Sequence, residues 1–292
     1  MSLLITFIIA TAVIFLAIGS YFDLKTGEIP EKISYGFISL ALIIAASNSI
    51  LNSDIQFFLN SLFLGTAFFI IGLILFYLGQ WGGGDVKLMA GIGCTLGYLA
   101  YANYLTEGFF PYYLTYFINM GFIALPYVII YGLILGIKNP ETKSEFMKYW
   151  KDIRTKVVFL LSFLPSIFAF SLGQNSLGIL YLFLPPLMIS ALYLKAVEMT
   201  ALQQVTDVIE LHEGDIVAED LIIENEKIAS KRNIEGLSDE DIQKIQRLAL
   251  DGKIPSKIKI KEGIRFAPIL FLTFLSILWI GNLMEISLEI LV

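Results

Sequence analysis

The chain alternates long apolar runs with short polar connections. Eight runs have about the 20 residues that a helix needs to cross a bilayer. They lie at residues 3–22, 33–51, 57–79, 86–104, 112–137, 156–172, 176–196 and 266–284. The sixth and seventh are short and contain Pro165 and the pair Pro185-Pro186, so they form either two spans or a re-entrant pair. No positive charge precedes the first run, which we therefore interpret as a retained helix and not as a signal peptide.

Composition supports a membrane location. Of the 292 residues, 57% are hydrophobic and 16% are charged, and the mean hydropathy is +0.75. One soluble core could not hide so much apolar surface, so disordered chains, fibrous repeats and ordinary cytosolic enzymes are excluded. The pattern predicts an all-α polytopic membrane protein with about six to eight transmembrane helices. The single cysteine, Cys94, and the single histidine, His212, disfavour disulfides, histidine-based metal sites and Ser-His-Asp triads.

All 20 lysines and arginines fall in alternate loops. They lie at Lys25 and Lys32, at Lys87, between Lys138 and Lys156, and between Lys195 and Arg265. The opposite loops, near residues 52–56, 103–111 and 172–176, have none. Because cytoplasmic loops retain positive charge, we expect the basic loops in the cytoplasm and both termini outside the cell membrane.

Residues 197–264 differ from the rest of the chain. They hold fifteen acidic and nine basic residues, and predict a small cytoplasmic α+β insert. Within it, residues 208–211 and 216–223 flank a turn like a strand pair, Ser238 caps a helix that runs to Leu250, and residues 255–260 alternate like a last strand. The sequence gives this insert no role beyond that of a solvated interaction or stability module.

Four segments follow from these patterns. We expect residues 1–137 to form a transmembrane core that would hold any catalytic residues, and residues 138–196 a basic cytoplasmic loop with further membrane helices. The soluble insert, 197–264, precedes a C-terminal transmembrane helix at 265–292.

Two acids are candidates for chemistry, because acids at the ends of membrane helices are costly and usually functional. Asp23 ends the first helix, and Asp85 opens the fourth after the glycines Gly82, Gly83 and Gly84. The predicted topology puts both acids at the cytoplasmic boundary. The glycines let an extended substrate approach and permit turns with positive φ, and later glycines of the fourth helix suit close helix packing.

Two neighbouring carboxylates at a partly dry boundary share one proton. The ionised one can then take a proton from water while the neutral one binds the scissile carbonyl and protonates the leaving amine. Taken singly, Asp23 is also a plausible loop residue and Lys87 an interface anchor. As a pair, the acids would also suit a proton- or cation-coupled transporter. A third alternative is a scaffold that docks partners through the insert.

The segment Gly82-Gly83-Gly84-Asp85-Val86-Lys87-Leu88, with Asp23 followed by Ile29-Pro30, resembles the type IV prepilin peptidase family of Gly-x-Gly-Asp membrane aspartyl proteases, specifically its archaeal preflagellin and prepilin peptidase branch. The resemblance implies an aspartic endopeptidase that cleaves class III signal peptides from pilin-like or archaellin-like precursors at the cytoplasmic face. Asp23 and Asp85 would be catalytic, with Lys87 and the glycines Gly82 to Gly84 in support.

Further expectations concern ligands and partners. Gly27 stands where members often carry a larger basic residue, so a substrate contact at this position is not expected. The cysteine-pair domain and the methyltransferase motif of many bacterial relatives are missing, so N-methylation is not expected. Glu28 and Glu31 are candidates for attracting the basic leader of a precursor. No metal, no cofactor and no nucleic-acid partner is expected; the lipid bilayer is the surrounding solvent.

Overall fold

The protein is described by a computed structural model that covers residues 3–105, 108–223, 226–230, 233 and 236–291. The chain forms two compact units. One comprises Met1–Leu125 with Arg265–Val292, and the other comprises Pro126–Ile264.

Helices dominate both units. In chain order they are α1 (Leu3–Thr26), α2 (Glu31–Leu51), α3 (Gln56–Tyr77), α4 (Gly83–Tyr101), α5 (Tyr112–Lys138), α6 (Pro140–Lys151), α7 (Ile153–Leu161), α8 (Leu164–Ser171), α9 (Asn175–Tyr181), α10 (Leu184–Glu198), α11 (Asp239–Leu250), α12 (Ala267–Trp279) and α13 (Leu283–Leu291). The strands are β1 (Gln203–Asp207), β2 (Ile216–Val217), β3 (Leu221–Ile223), β4 (Glu226–Ala229) and β5 (Lys257–Lys261).

Within the described residues, six helical segments are long and apolar enough to cross a membrane, or seven if the bent pair α12–α13 counts as one span. Large apolar side chains such as Phe63 and Ile43 point outward and are exposed, as lipid-facing residues are. The predicted fold class, a polytopic helical membrane protein with a small α+β insert, is therefore confirmed. Helix α4 is not among the six, because glycines, Asp85 and Lys87 lower its apolar character.

Helix α4 lies at the centre of the first unit, and most of its residues are buried. A Cβ at Gly93 would lie 2.5 Å from the Leu64 carbonyl oxygen, and one at Gly97 would lie 2.3 Å from that of Asn60. Only glycine allows α3 to approach this closely. The predicted packing role of the later glycines is confirmed.

Three predicted spans are interrupted, although the sixth and seventh are each still counted as one of the six membrane-length segments. The sixth divides into α7 and α8 just before Pro165, and the seventh into α9 and α10 just before Pro185. Proline is favourable in a first helical turn but disrupts a continuing helix, so each break falls where a new helix starts. The last predicted span, 266–284, ends at Trp279, and the chain bends by 62° around Gly281, whose φ is +83°.

The insert contains an antiparallel three-stranded sheet in the order β1-β5-β2, a separate β3–β4 pair and helix α11. Ser238 caps α11 as predicted, accepting a hydrogen bond from the Asp241 N–H at 3.2 Å, and the last strand is confirmed as β5. The predicted pairing of residues 208–211 with 216–223 is wrong. Residues 208–210 form a 3-10 turn because the Asp207 side chain accepts the Ile209 N–H, and β2 pairs with β5 instead.

Candidate active site

Asp23 lies in the last turn of α1. Gly27 ends this helix with φ +79°, and its N–H donates to the Asp23 carbonyl at 2.9 Å. A left-handed glycine closing a helix in this way is a common helix terminator. Although the side chain lies one turn from the helix end, it is only 6% exposed. The carboxyl group is thus held inside the protein.

Asp85 occupies the first turn of α4. Gly82 precedes the helix in an extended conformation, and its N–H donates to Asp85 Oδ2 at 3.1 Å. The carboxyl therefore caps its own helix, where a negative charge is also favoured by the helix dipole. The side chain is 9% exposed, and its Oδ1 accepts no hydrogen bond from any residue that the structure describes.

The fold brings these two acids together. The Asp85 carboxyl lies within electrostatic range of the Asp23 carboxyl, although they belong to α4 and α1. Gly19, one turn before Asp23, lies against Leu88, one turn after Asp85, so the two helices pack directly beside the acids. Two enclosed carboxyl groups with one oxygen free of protein partners can bind and activate a water molecule.

The backbone of the glycines before Asp85 differs from the sequence prediction in one respect. None of Gly82, Gly83 and Gly84 has a positive φ, so the expectation of left-handed turns is wrong. A Cβ at Gly84 would instead lie 2.8 Å from the Cβ of Ile29, whereas a Cβ at Gly83 would meet nothing within 4 Å. Gly84 therefore allows the entry of α4 to approach the segment that follows Asp23.

Lys87 and Glu31 form an ion pair. Lys87 Nζ lies 2.6 Å from Glu31 Oε1 and 4.8 Å from the centre of the Tyr35 ring. Lys87 thus links α4 to the start of α2, in addition to any contact with lipid headgroups. Glu28 is exposed, and its backbone N–H donates to the Thr26 hydroxyl at 3.4 Å.

A third element that the sequence did not indicate reaches the site. The backbone N–H of Ala267, the first residue of α12, donates to Asp23 Oδ2 at 2.9 Å, and the neighbouring Phe266 N–H also lies near this carboxyl group. The Phe266 ring also packs against Trp81, just before the glycines, with ring centres 5.0 Å apart. Backbone donors have no sequence signature, so Asp23 could not have been matched to α12 by motif.

Comparisons with known proteins agree with this arrangement. Residues 10–137, which include both acids, match the type IV leader peptidase family. The chain is 25% identical to a prepilin peptidase EppA of Methanothermobacter thermautotrophicus, over 90% of this chain and 91% of the relative. It is 24% identical to a prepilin peptidase EppA of Methanocaldococcus jannaschii, over 92% and 96%.

A preflagellin peptidase of Methanocaldococcus jannaschii is 31% identical over 49% of this chain and 64% of the relative. No solved structure matches the chain with significance. Nothing in these comparisons supports the alternative of a proton- or cation-coupled transporter. Residues 10–137 of this multi-pass protein, which carry the Gly-x-Gly-Asp segment and the buried partner acid on α1, are thus similar to the type IV leader peptidase family.

Proposed function

We propose that this protein is a membrane aspartyl endopeptidase that removes the leader peptide from pilin-like precursors, with Asp23 and Asp85 as its catalytic residues. The observation that carries the proposal is the enclosed pair of carboxyl groups supplied by two different helices. An isolated buried acid would be costly, and an enclosed pair that shares one proton is suited to peptide hydrolysis.

The reaction needs only water and the singly protonated pair. The ionised carboxylate takes a proton from water as the water oxygen bonds to the scissile carbonyl carbon, and the protonated carboxyl donates a hydrogen bond to the carbonyl oxygen. The carbon–nitrogen bond then breaks while the leaving nitrogen takes the proton of the second carboxyl. The products are a new carboxyl end and a new amine, and the pair again holds one proton.

The extent of the matches favours pilin-like precursors. The relatives that align over about nine tenths of this chain are both named prepilin peptidases. Archaellin-like precursors are the second candidate class, because the preflagellin peptidase is the more identical relative, at 31%, over the part that it shares.

We place the active site and the 197–264 insert on the cytoplasmic side. The support is the segregation of all 20 basic residues to one set of loops. The apolar helix of a precursor would then lie among the membrane helices while its basic leader stays in the cytoplasm. The exposed Glu28 lies in the loop after Asp23, and the ion-paired Glu31 begins α2, so both acids are placed where they would attract such a leader.

A panel of precursors tests the proposal. The protein is co-expressed with pilin-like, archaellin-like and ordinary secretory precursors, and cleavage is read from the mobility and the N-terminal sequence of each product. We expect cleavage between the basic leader and the apolar helix of pilin-like precursors only. Cleavage of archaellin-like precursors alone would favour the second class. Failure to cleave either class, in cells and in detergent, would refute the proposal.

A further inference from the structure

Arg265, which the motif analysis did not single out, lies beside the proposed active site. A Cβ built on Gly27 would overlap the Arg265 guanidinium, with its Nη1 only 2.0 Å away. The guanidinium therefore occupies the space that a side chain at position 27 would fill. From there it interacts electrostatically with Asp23.

The two acids are unequally supported by their surroundings. Asp23 accepts a hydrogen bond from the Ala267 N–H at the start of the 13-residue helix α12, with the Phe266 N–H beside it, and the Arg265 charge lies within electrostatic range. Asp85 accepts one backbone N–H and has an oxygen without a partner among the described residues. Both acids accept a backbone N–H at the start of a helix, so the difference between them is the Arg265 charge beside Asp23. A positive charge favours an ionised carboxylate, so the shared proton is better placed on Asp85.

Resting on the proposed function, we infer that Arg265 is a positioning residue that, together with the start of α12, holds Asp23 as the ionised member of the pair. Asp23 is then the group that takes the proton from water, and Asp85 binds the carbonyl and protonates the leaving nitrogen. Glycine at position 27 is what leaves room for this arginine.

Activity variants test this role in purified full-length protein, using the precursor identified by the panel. Arg265→Gln should lower kcat about tenfold with little change in KM, because the lost charge acts on Asp23 and not on the substrate. Arg265→Lys should recover most of the rate. Lys25→Gln is the control, because it removes a positive charge from the same turn as Asp23. Lys25 is exposed and lies over the Tyr21 ring, so the cleavage rate of this variant should equal that of the wild type.

A second pair of variants tests the same contact by changing Gly27, the residue against which Arg265 lies. Gly27→Ala should displace the guanidinium and lower kcat, while in an Arg265→Ala background the same change should cost no further activity per folded molecule. If Gly27→Ala lowered kcat by the same factor in the wild type and in the Arg265→Ala background, the inference would be contradicted. A wild-type rate for Arg265→Gln, in a protein whose Asp23→Asn variant is inactive, would also contradict it.

Chemical labelling tests the inference without relying on peptidase activity. A hydrophobic carbodiimide modifies protonated carboxyl groups, and peptide mapping by mass spectrometry locates the label. In the wild type we expect label on Asp85 in preference to Asp23, and in Arg265→Gln a severalfold rise at Asp23 that Arg265→Lys largely prevents. Equal labelling of Asp23 in all three proteins would overturn the role of Arg265, whereas a panel without cleavage would overturn only the proposed function.

Discussion

Gly84→Ala should disable the proposed active site by steric contact alone. The new Cβ would lie 2.8 Å from the Ile29 Cβ, 3.0 Å from its Cδ1 and 3.2 Å from its Cγ1. Carbon atoms pack at about 3.5–4.0 Å, so the entry of α4 and the segment after Asp23 must separate by roughly 1 Å. A displacement of about 1 Å between reacting groups can lower a rate by roughly 100-fold.

Gly83→Ala is the matched control, because a Cβ at this neighbouring position meets nothing within 4 Å. Both changes replace glycine by alanine in the first turn of α4, so neither should weaken the helix. The assay is processing of a precursor by equal amounts of folded protein in detergent. Adding Ile29→Ala to Gly84→Ala should restore only part of the rate, since the Ile29 Cβ remains. Equal activity of the two single alanine variants would refute the steric reasoning.

Three further predictions concern the substrate, the topology and the chemistry. Replacing Glu28 and Glu31 together with glutamine should raise KM for a lysine-rich leader, as measured by initial rates; unaltered KM would remove both from substrate attraction. Cys94 is buried and should not react with a membrane-impermeant maleimide. A cysteine placed at the exposed Glu213 should react with this reagent only from the cytoplasmic side, and one at the exposed Gln56 only from outside. The reverse pattern would contradict the proposed orientation. The rate of precursor cleavage should follow a bell-shaped pH dependence, because only the singly protonated pair is active. Excess chelator should leave this rate unchanged, and inhibition that added metal reverses would point to other chemistry.

The elements best predicted from sequence are those governed by local patterns. The long apolar runs became helices, and Ser238 with the acids after it became the start of α11. The bend near Gly281 also has a local signal that the apolar run obscured. The Asn282 side chain accepts the N–H groups of Met284 and Glu285 and so starts α13 directly after the glycine that ends α12.

Contacts between residues far apart in the sequence were harder to predict from the sequence. Asp23 and Asp85 could be paired because one ends and the other begins a predicted helix on the same side of the membrane. The bond from Ala267 to Asp23 joins residues 244 positions apart through a backbone N–H, which any residue except proline supplies. Similarly, β2 and β5 are separated by helix α11, so their alternating patterns could not show that they pair with each other.

The most direct test of the central claim compares Asp23→Asn, Asp85→Asn and the double variant with the wild type. Each protein should reach the membrane in similar amounts, and precursor processing is then measured over an extended time course. Because the two carboxyl groups act as one unit, we predict that each single change abolishes cleavage and that the double change has no additional effect. Cleavage at the wild-type rate by either single variant would contradict the two-aspartate account.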